Sequence, residues 1–293
     1  MTAIEEKTFR FSGADGHAVA AWRWSKPVPT RAVLQVAHGM GEHAQRYKLA
    51  LEPLMGAGIV IYANDHRGHG QTAPTKNSLG DFGSSGFAAL VDDMALLTAR
   101  ARAENPGKPL ILLGHSMGSF ATQLYLLDHS RDIDGVVISG SAALDQLAAA
   151  LPADPDAPAL EGFNGAFEPA RTPFDWLSRD TAHVDAYIAD PFCGFSASPS
   201  SMQSMMGALV RTLDPGALAQ IRRDLPVYIF SGDKDPVGGP DLAFLRPLAD
   251  RYIALGMNVK TDFYKDGRHE MLNETNRDEV VANLKSWIEK VIS

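Results

Sequence analysis

Leu110-Ile111-Leu112-Leu113-Gly114-His115-Ser116-Met117-Gly118 is the stretch whose reading decides the fold. Four consecutive aliphatic residues closed by a glycine read as a strand buried on both faces. From Ser116 to Asp128 the apolar residues recur at helical spacing, so the chain turns from strand to helix within a few residues. The junction is a G-x-S-x-G motif. A turn this sharp is strained, and a side chain at either glycine would crowd the adjoining strand and helix, so the serine stands exposed at the sheet's carboxyl edge. The plainer reading, a glycine-rich turn with an ordinary serine, does not account for the motif's place at a strand-to-helix junction.

Outward from this point, short β-branched runs alternate with longer helical patterns, the signature of crossover units on a mostly parallel sheet. Strands are expected over Lys7–Phe11, Ala18–Trp24, Ala32–Ala37, Ile59–Asn64, Gly135–Ser139, Val227–Ser231 and Val259–Tyr264. The first two, joined across Gly13-Ala14-Asp15-Gly16, read as an antiparallel hairpin at one edge. Helices are expected over Phe87–Ala103, Asp241–Leu255 and Asp278–Ile292. Between Ala142 and Pro215 the alternation stops, leaving short helical pieces and the Pro- and Asp-rich stretch Pro152–Pro158. One sheet interrupted by a helical insertion is the simplest account: a core of residues 1–141 and 216–293 with a cap of 142–215. An insertion of that length points to a functional lid or a separate module.

Composition narrows the function. The 293 residues carry a net charge of -8 with no basic run, which disfavours the counterion-displacing contacts that bind nucleic acid. The N-terminus Met1-Thr2-Ala3-Ile4-Glu5-Glu6-Lys7 has no charged-then-apolar leader, and no segment is long and apolar enough to span a bilayer, so a cytoplasmic location is expected. Cys193 stands alone between aromatics, where a small packing residue is the expected role rather than a reactive thiol.

A serine hydroxyl becomes nucleophilic only when a base takes its proton, so a histidine must reach Ser116. In a fold of this kind the chain order is serine, acid, histidine, which leaves His129, His183 and His269. His129 lies too far along the helix that follows Ser116, and His183 falls in the insertion. His269, in the loop after the last strand, is the candidate base. The loop after the preceding strand, Ser231-Gly232-Asp233-Lys234-Asp235-Pro236, offers two acids. Asp235 is preferred because Pro236 restricts it to extended geometry and projects it beyond the strand end; Asp233 is then a turn residue. A developing oxyanion needs two amide donors. Met117 supplies one, and Met40, in the loop His38-Gly39-Met40-Gly41-Glu42-His43, is chosen for the other.

The loop Asn64-Asp65-His66-Arg67-Gly68-His69-Gly70 looks at first like a metal site, but no helical histidine pair or cysteine cluster supports it, and no metal is expected. Asp65 and Arg67 read as residues that fix the loop. In the insertion, Met202, Met205, Met206 and Leu209 share one helical face that either packs on the core or lines an acyl-binding pocket.

Together the His38–His43 loop followed by Arg46-Tyr47, the Asp65–Gly70 loop, Gly114–Gly118, Asp235 and His269 resemble the monoacylglycerol lipase and lysophospholipase branch of the α/β-hydrolases. The insertion's Thr172-Pro173-Phe174-Asp175-Trp176-Leu177-Ser178-Arg179-Asp180 and Val184-Asp185-Ala186-Tyr187 are similar to bacterial members labelled lysophospholipases. The resemblance implies an α/β-hydrolase fold with an eight-stranded, mostly parallel sheet and a helical cap, no cofactor, and hydrolysis of carboxylic esters of lipid alcohols. It implies Ser116, Asp235 and His269 as the triad with Met40 and Met117 as oxyanion donors. The expected partner is a small-molecule or lipid ester, and a cap of this kind allows transient contact with a membrane surface. The alternatives within the fold are a short-chain carboxylesterase and a ligand-binding receptor that turns over slowly.

Overall fold

In the computed structural model, which describes residues 3–150 and 161–293, eight strands form one sheet in the order β1-β2-β4-β3-β5-β6-β7-β8. They are β1 (Glu5–Ser12), β2 (Ala18–Ser25), β3 (Ala32–Ala37), β4 (Ile59–Asn64), β5 (Leu110–His115), β6 (Gly135–Ser139), β7 (Val227–Gly232) and β8 (Val259–Tyr264). β1 and β2 form the expected antiparallel hairpin, β2 pairs antiparallel with β4, and β3 to β8 run parallel.

Side-chain alternation along β5 divides the core into two layers. Leu110 and Leu112 face one way, against α1 (Gly86–Glu104) and α2 (Met117–His129), while Ile111 and Leu113 face the other. All four are fully buried, each burial worth about 1.5–3 kcal/mol before entropy is counted. Between β6 and β7 the described residues hold α3 (Leu144–Ala150), α4 (Thr181–Ala189), α5 (Pro199–Leu209) and short helical turns, and no strand. The Pro152–Pro158 stretch lies outside the described residues. After β7 come α6 (Arg246–Ala254) and, after β8, α7 (Arg277–Val291), whose Val280, Val281, Leu284 and Ile288 pack with Ile111 and Leu113.

One helix is shorter than expected. The periodicity from Asp241 to Leu255 predicts a single helix, but Asp241 and Leu242 both have positive φ (50° and 62°), and the α-helix begins only at Arg246. Pro240 and the left-handed pair form a separate turn, in which the Phe244 N–H donates to the Gly238 carbonyl at 2.8 Å. Hydrophobic spacing does not register that break.

Register places the chemistry. The chain leaves β3 toward β4 on one side, returns from β4 through α1 to β5 on the other side of β3, and leaves β5 toward β6, so the sheet has its switch point between the β3 and β5 ends, the usual ligand crevice of an open α/β sheet. Ala37 is paired with Gly114, His115 with Ser139, and Gly232 with Tyr264. The loops after β3, β5, β7 and β8 therefore leave the sheet along one edge.

Candidate active site

The Gly114–Gly118 turn is shaped by lack of space. A Cβ at Gly114 would run into Thr122 Oγ1 and the Gly118 carbonyl, and one at Gly118 into the Ala37 carbonyl. Ser116 bears the strain, at φ 52° and ψ −123°, outside the comfortable regions for a residue with a side chain. Such a conformation costs about 1–3 kcal/mol and is held by its surroundings. Here the Ser116 N–H donates to the Ser139 carbonyl at 3.0 Å, and the Ser119 hydroxyl donates to the Ser116 carbonyl at 2.6 Å. Unlike its helical neighbours Met117 and Gly118, Ser116 remains partly exposed.

Asp235 and His269 are brought together from loops 34 residues apart. Asp235 Oδ1 accepts from His269 Nδ1 at 2.8 Å, and both side chains are almost wholly buried. The same oxygen accepts the Val237 N–H at 3.0 Å, while Oδ2 accepts the Ser231 hydroxyl at 2.8 Å. Burial alone would raise the Asp235 carboxyl, but the His269 imidazole and these donors hold it below its ordinary value. Burial alone would likewise suppress the His269 imidazolium, yet the charge and hydrogen bond of Asp235, aided by Glu270 and Glu42, hold its pKa above the ordinary value. An ionised carboxylate can only accept, so Nδ1 carries the proton and Nε2 is the free base. His269 sits on the elbow side of the sheet: the position a Cβ would occupy on Gly140 lies 2.8 Å from its Cε1, directly after the Ser139 carbonyl that binds Ser116. Asp233 does something else. Its Oδ1 accepts the Asp266 N–H at 2.8 Å, bracing the β8 loop against the β7 loop.

The loop after β3 lies against the elbow, so close that a Cβ on Gly39 would stand 3.0 Å from Ser116 Cβ and 2.8 Å from Glu42 Oε1. The Gly39 N–H is occupied, donating to Glu42 Oε1 at 2.6 Å. Met117 is the first residue of its helix, where an amide has no partner within the helix. Met40 follows Gly39, the glycine packed against Ser116. Met40 Sδ accepts the Ala197 N–H of the insertion at 3.4 Å.

The insertion is tied to the His269 loop by backbone. The His269 and Glu270 N–H groups donate to the Trp176 and Leu177 carbonyls at 3.3 and 2.7 Å, and the Trp176 ring packs 4.9 Å from the His269 ring. On α5 the expected apolar stripe divides. Met205 and Leu209 are buried in the core, Met202 is partly buried, and Met206 lines a cavity of about 410 Å³ with Leu144, Ala148, Val210 and Leu213.

The Asp65–Gly70 loop is fixed as its residue types suggest. Asp65 accepts the Ala44 and Gln71 N–H groups at 2.9 and 2.6 Å, and Arg67 spans Asp15 and Asp93. His38 donates from Nδ1 to the Gly39 carbonyl and accepts the His66 N–H at Nε2; burial keeps it and His69 near pKa 3. Among the described residues, the one group close enough to be considered for a metal is His43, Asp190 and Cys193, a combination not apparent from sequence spacing. His43 and Asp190 already satisfy each other at 2.9 Å, and burial pushes the Cys193 thiol up, keeping it protonated.

The Hydrolase_4 family model, described as "Serine aminopeptidase, S33", matches residues 28–276. The chain belongs to this family. A monoacylglycerol lipase of Mycolicibacterium smegmatis is 30% identical over 98% of this chain and 99% of its own. A monoglyceride lipase of Mus musculus is 26% identical over 94% of this chain and 88% of its own. Among solved structures, a thermostable carboxyl esterase from Bacillus coagulans in complex with glycerol superposes with a TM-score of 0.87 at 27% identity, covering 98% of this chain and 99% of that one. A lipase in an open form gives 0.85 at 26%, covering 99% and 100%. The chain is thus an α/β-hydrolase of the monoacylglycerol lipase-like type, a carboxylic ester hydrolase. Among the described residues no helix is long and apolar enough to cross a membrane.

Proposed function

We propose that this hydrolase cleaves esters of the monoacylglycerol or lysophospholipid type through an acyl-enzyme formed on Ser116. The observation that carries the reading is the buried Asp235–His269 pair at 2.8 Å beside a serine held at positive φ. His269 Nε2 takes the Ser116 proton as Oγ attacks the ester carbonyl, and Asp235 stabilises the imidazolium that results. The Met40 and Met117 amides receive the oxyanion as its charge develops. The imidazolium then protonates the leaving alcohol. Water, activated by the same nitrogen, attacks the acyl-enzyme and releases the acid.

Residues 142–215 act in this reading as a lid, supported by the Trp176 ring on His269 and the Ala197 amide on Met40. The Met206 cavity is the candidate acyl site, with Met202, Met205 and Leu209 on the same helix packed into the core. The M. smegmatis relative's name favours a monoacylglycerol, and the B. coagulans neighbour's a simpler ester, so chain length is the property to measure. Rates across p-nitrophenyl esters from about two to about sixteen carbons, beside monoacylglycerol and lysophosphatidylcholine, test the proposal. A preference for long acyl monoesters supports it. Activity confined to the shortest esters would replace it with a general carboxylesterase, and a single turnover followed by silence would replace it with a receptor.

A further inference from the structure

Two loops must be held in register for the chemistry above, the one that carries Met40 and the one that carries His269. They come from opposite ends of the chain and do not share a strand pair. What joins them is a buried chain of charges. Arg46 donates through Nη1 and Nη2 to both oxygens of Glu270, at 2.6 and 2.7 Å, and Nη1 also donates to Glu42 Oε2 at 2.6 Å. Glu42 Oε1 in turn accepts the Gly39 N–H at 2.6 Å and the Tyr47 hydroxyl at 2.7 Å. Asn273 closes the far end, donating to Glu270 Oε2 at 2.9 Å. The side chains of Glu42, Arg46 and Glu270 are 3%, 10% and 6% exposed, so this is an interior construction.

Resting on the triad reading, we infer that Glu42, Arg46 and Glu270 are positioning residues: a strut that sets the oxyanion loop against His269 and places net negative charge beside the imidazole. The geometry argues for function over mere stability. Glu270 is bonded directly to His269 in the chain, and its own N–H is pinned by the Leu177 carbonyl, so its carboxylate has little freedom except along the strut. At the other end, Glu42 holds the amide of the residue before Met40, which fixes the loop peptide that leads into Met40. Two acids on one base are expensive to bury, and an apolar trio of the same volume would commonly be no less stable. A bidentate guanidinium fork, by contrast, fixes orientation as well as distance.

Every charged or titratable group facing His269 enters the test. Asp235 comes from the β7 loop, Glu270 from its own loop and Glu42 from the β3 loop, and His115, at the end of β5, lies with its ring 4.6 Å away. Arg46, bonded to both glutamates, carries the opposing charge. Removing the Glu270 charge withdraws support for the imidazolium, so the acid limb of kcat/KM moves to lower pH. A residue that only stabilised the fold would lower activity without moving that limb.

The experiment measures kcat and KM from about pH 5 to about pH 9 with p-nitrophenyl butyrate for wild type, Arg46→Lys, Glu270→Gln, Glu42→Gln and the double glutamine variant, with Tm for each. Arg46→Lys keeps the charge but not the fork, and should lower kcat by about a hundredfold with KM nearly constant, the cost of misplacing reacting groups by about an ångström. Glu270→Gln should shift the acid limb downward. The double variant should lose little more than the worse single one, because both glutamates act through one arginine. If Arg46→Lys fails to fold, the isosteric glutamine variants still decide. Folded variants with kcat within about threefold of wild type and an unmoved acid limb would overturn the strut, as would losses that simply multiply. Ser116→Ala in the same series separates the readings: if it is silent while the strut variants behave as wild type, the triad reading stands and the strut falls.

Discussion

Asp235→Asn changes one charge and leaves the shape alone, and the hydrogen bonds around the site say what the amide would do. Val237 N–H needs an acceptor at Oδ1, and Ser231 Oγ can rotate to accept from a donor at Oδ2. The amide oxygen is therefore expected at the Oδ1 position, still accepting from His269 Nδ1. On that arrangement the tautomer survives and the loss is electrostatic. A charge about 4 Å from the imidazolium at an effective dielectric constant of about 20 contributes about 4 kcal/mol, which is a factor of roughly 10³ in kcat. Should the amide turn its NH2 toward His269, the wrong tautomer would raise the loss to about 10⁴. Steady-state kinetics on p-nitrophenyl butyrate, with Tm recorded alongside, measures it. Asp233→Asn is the control: it weakens one bond to the Asp266 N–H and should cost about 1 kcal/mol of stability with kcat nearly unchanged. A folded, active Asp235→Asn beside a folded, inactive Asp233→Asn would refute the assignment.

Other consequences follow from the same geometry. Because Asp235 holds the His269 pKa above the ordinary imidazole value of about 6.5, kcat/KM should rise through a midpoint above that pH, as the neutral base appears; a midpoint below it would contradict the pairing. Met206→Trp should fill much of the cavity it lines and shift the ester preference toward shorter chains, whereas an unchanged chain-length profile would assign the residue to packing alone. Arg67→Ala leaves the buried Asp93 carboxylate without its partner and should cost about 3–5 kcal/mol by urea unfolding, with kcat per folded molecule retained.

The elbow was legible because its constraint is local. Gly114, Ser116 and Gly118 lie within five residues, and the space that forbids a side chain at the glycines belongs to the strand and helix they join. The inner strands β3 to β7 were legible for a similar reason: burial on both faces gives continuous apolar runs, and the register that aligns four loops follows from parallel pairing. The strut was not. Arg46 and Glu270 are separated by 224 positions, and neither departs from what an exposed loop would carry; the one available hint was an acid placed between His269 and the apolar Met271-Leu272. The same holds for His43 with Asp190. The start of α6 was misplaced because left-handed φ at Asp241 and Leu242 leaves no trace in hydrophobic spacing. The stripe from Met202 to Leu209 was ambiguous in principle: one helical face serves the core at Met205 and Leu209 and a cavity at Met206.

The central claim is that one serine, activated by one histidine, carries the reaction. A fluorophosphonate probe tests it most directly, since it reacts only with an activated hydroxyl and reports the site by peptide mapping. The account predicts labelling at Ser116 alone in the wild type and none in Ser116→Ala, which should keep its Tm and lose several orders of magnitude in kcat. Labelling at another residue, or near-wild-type ester hydrolysis by Ser116→Ala, would contradict it.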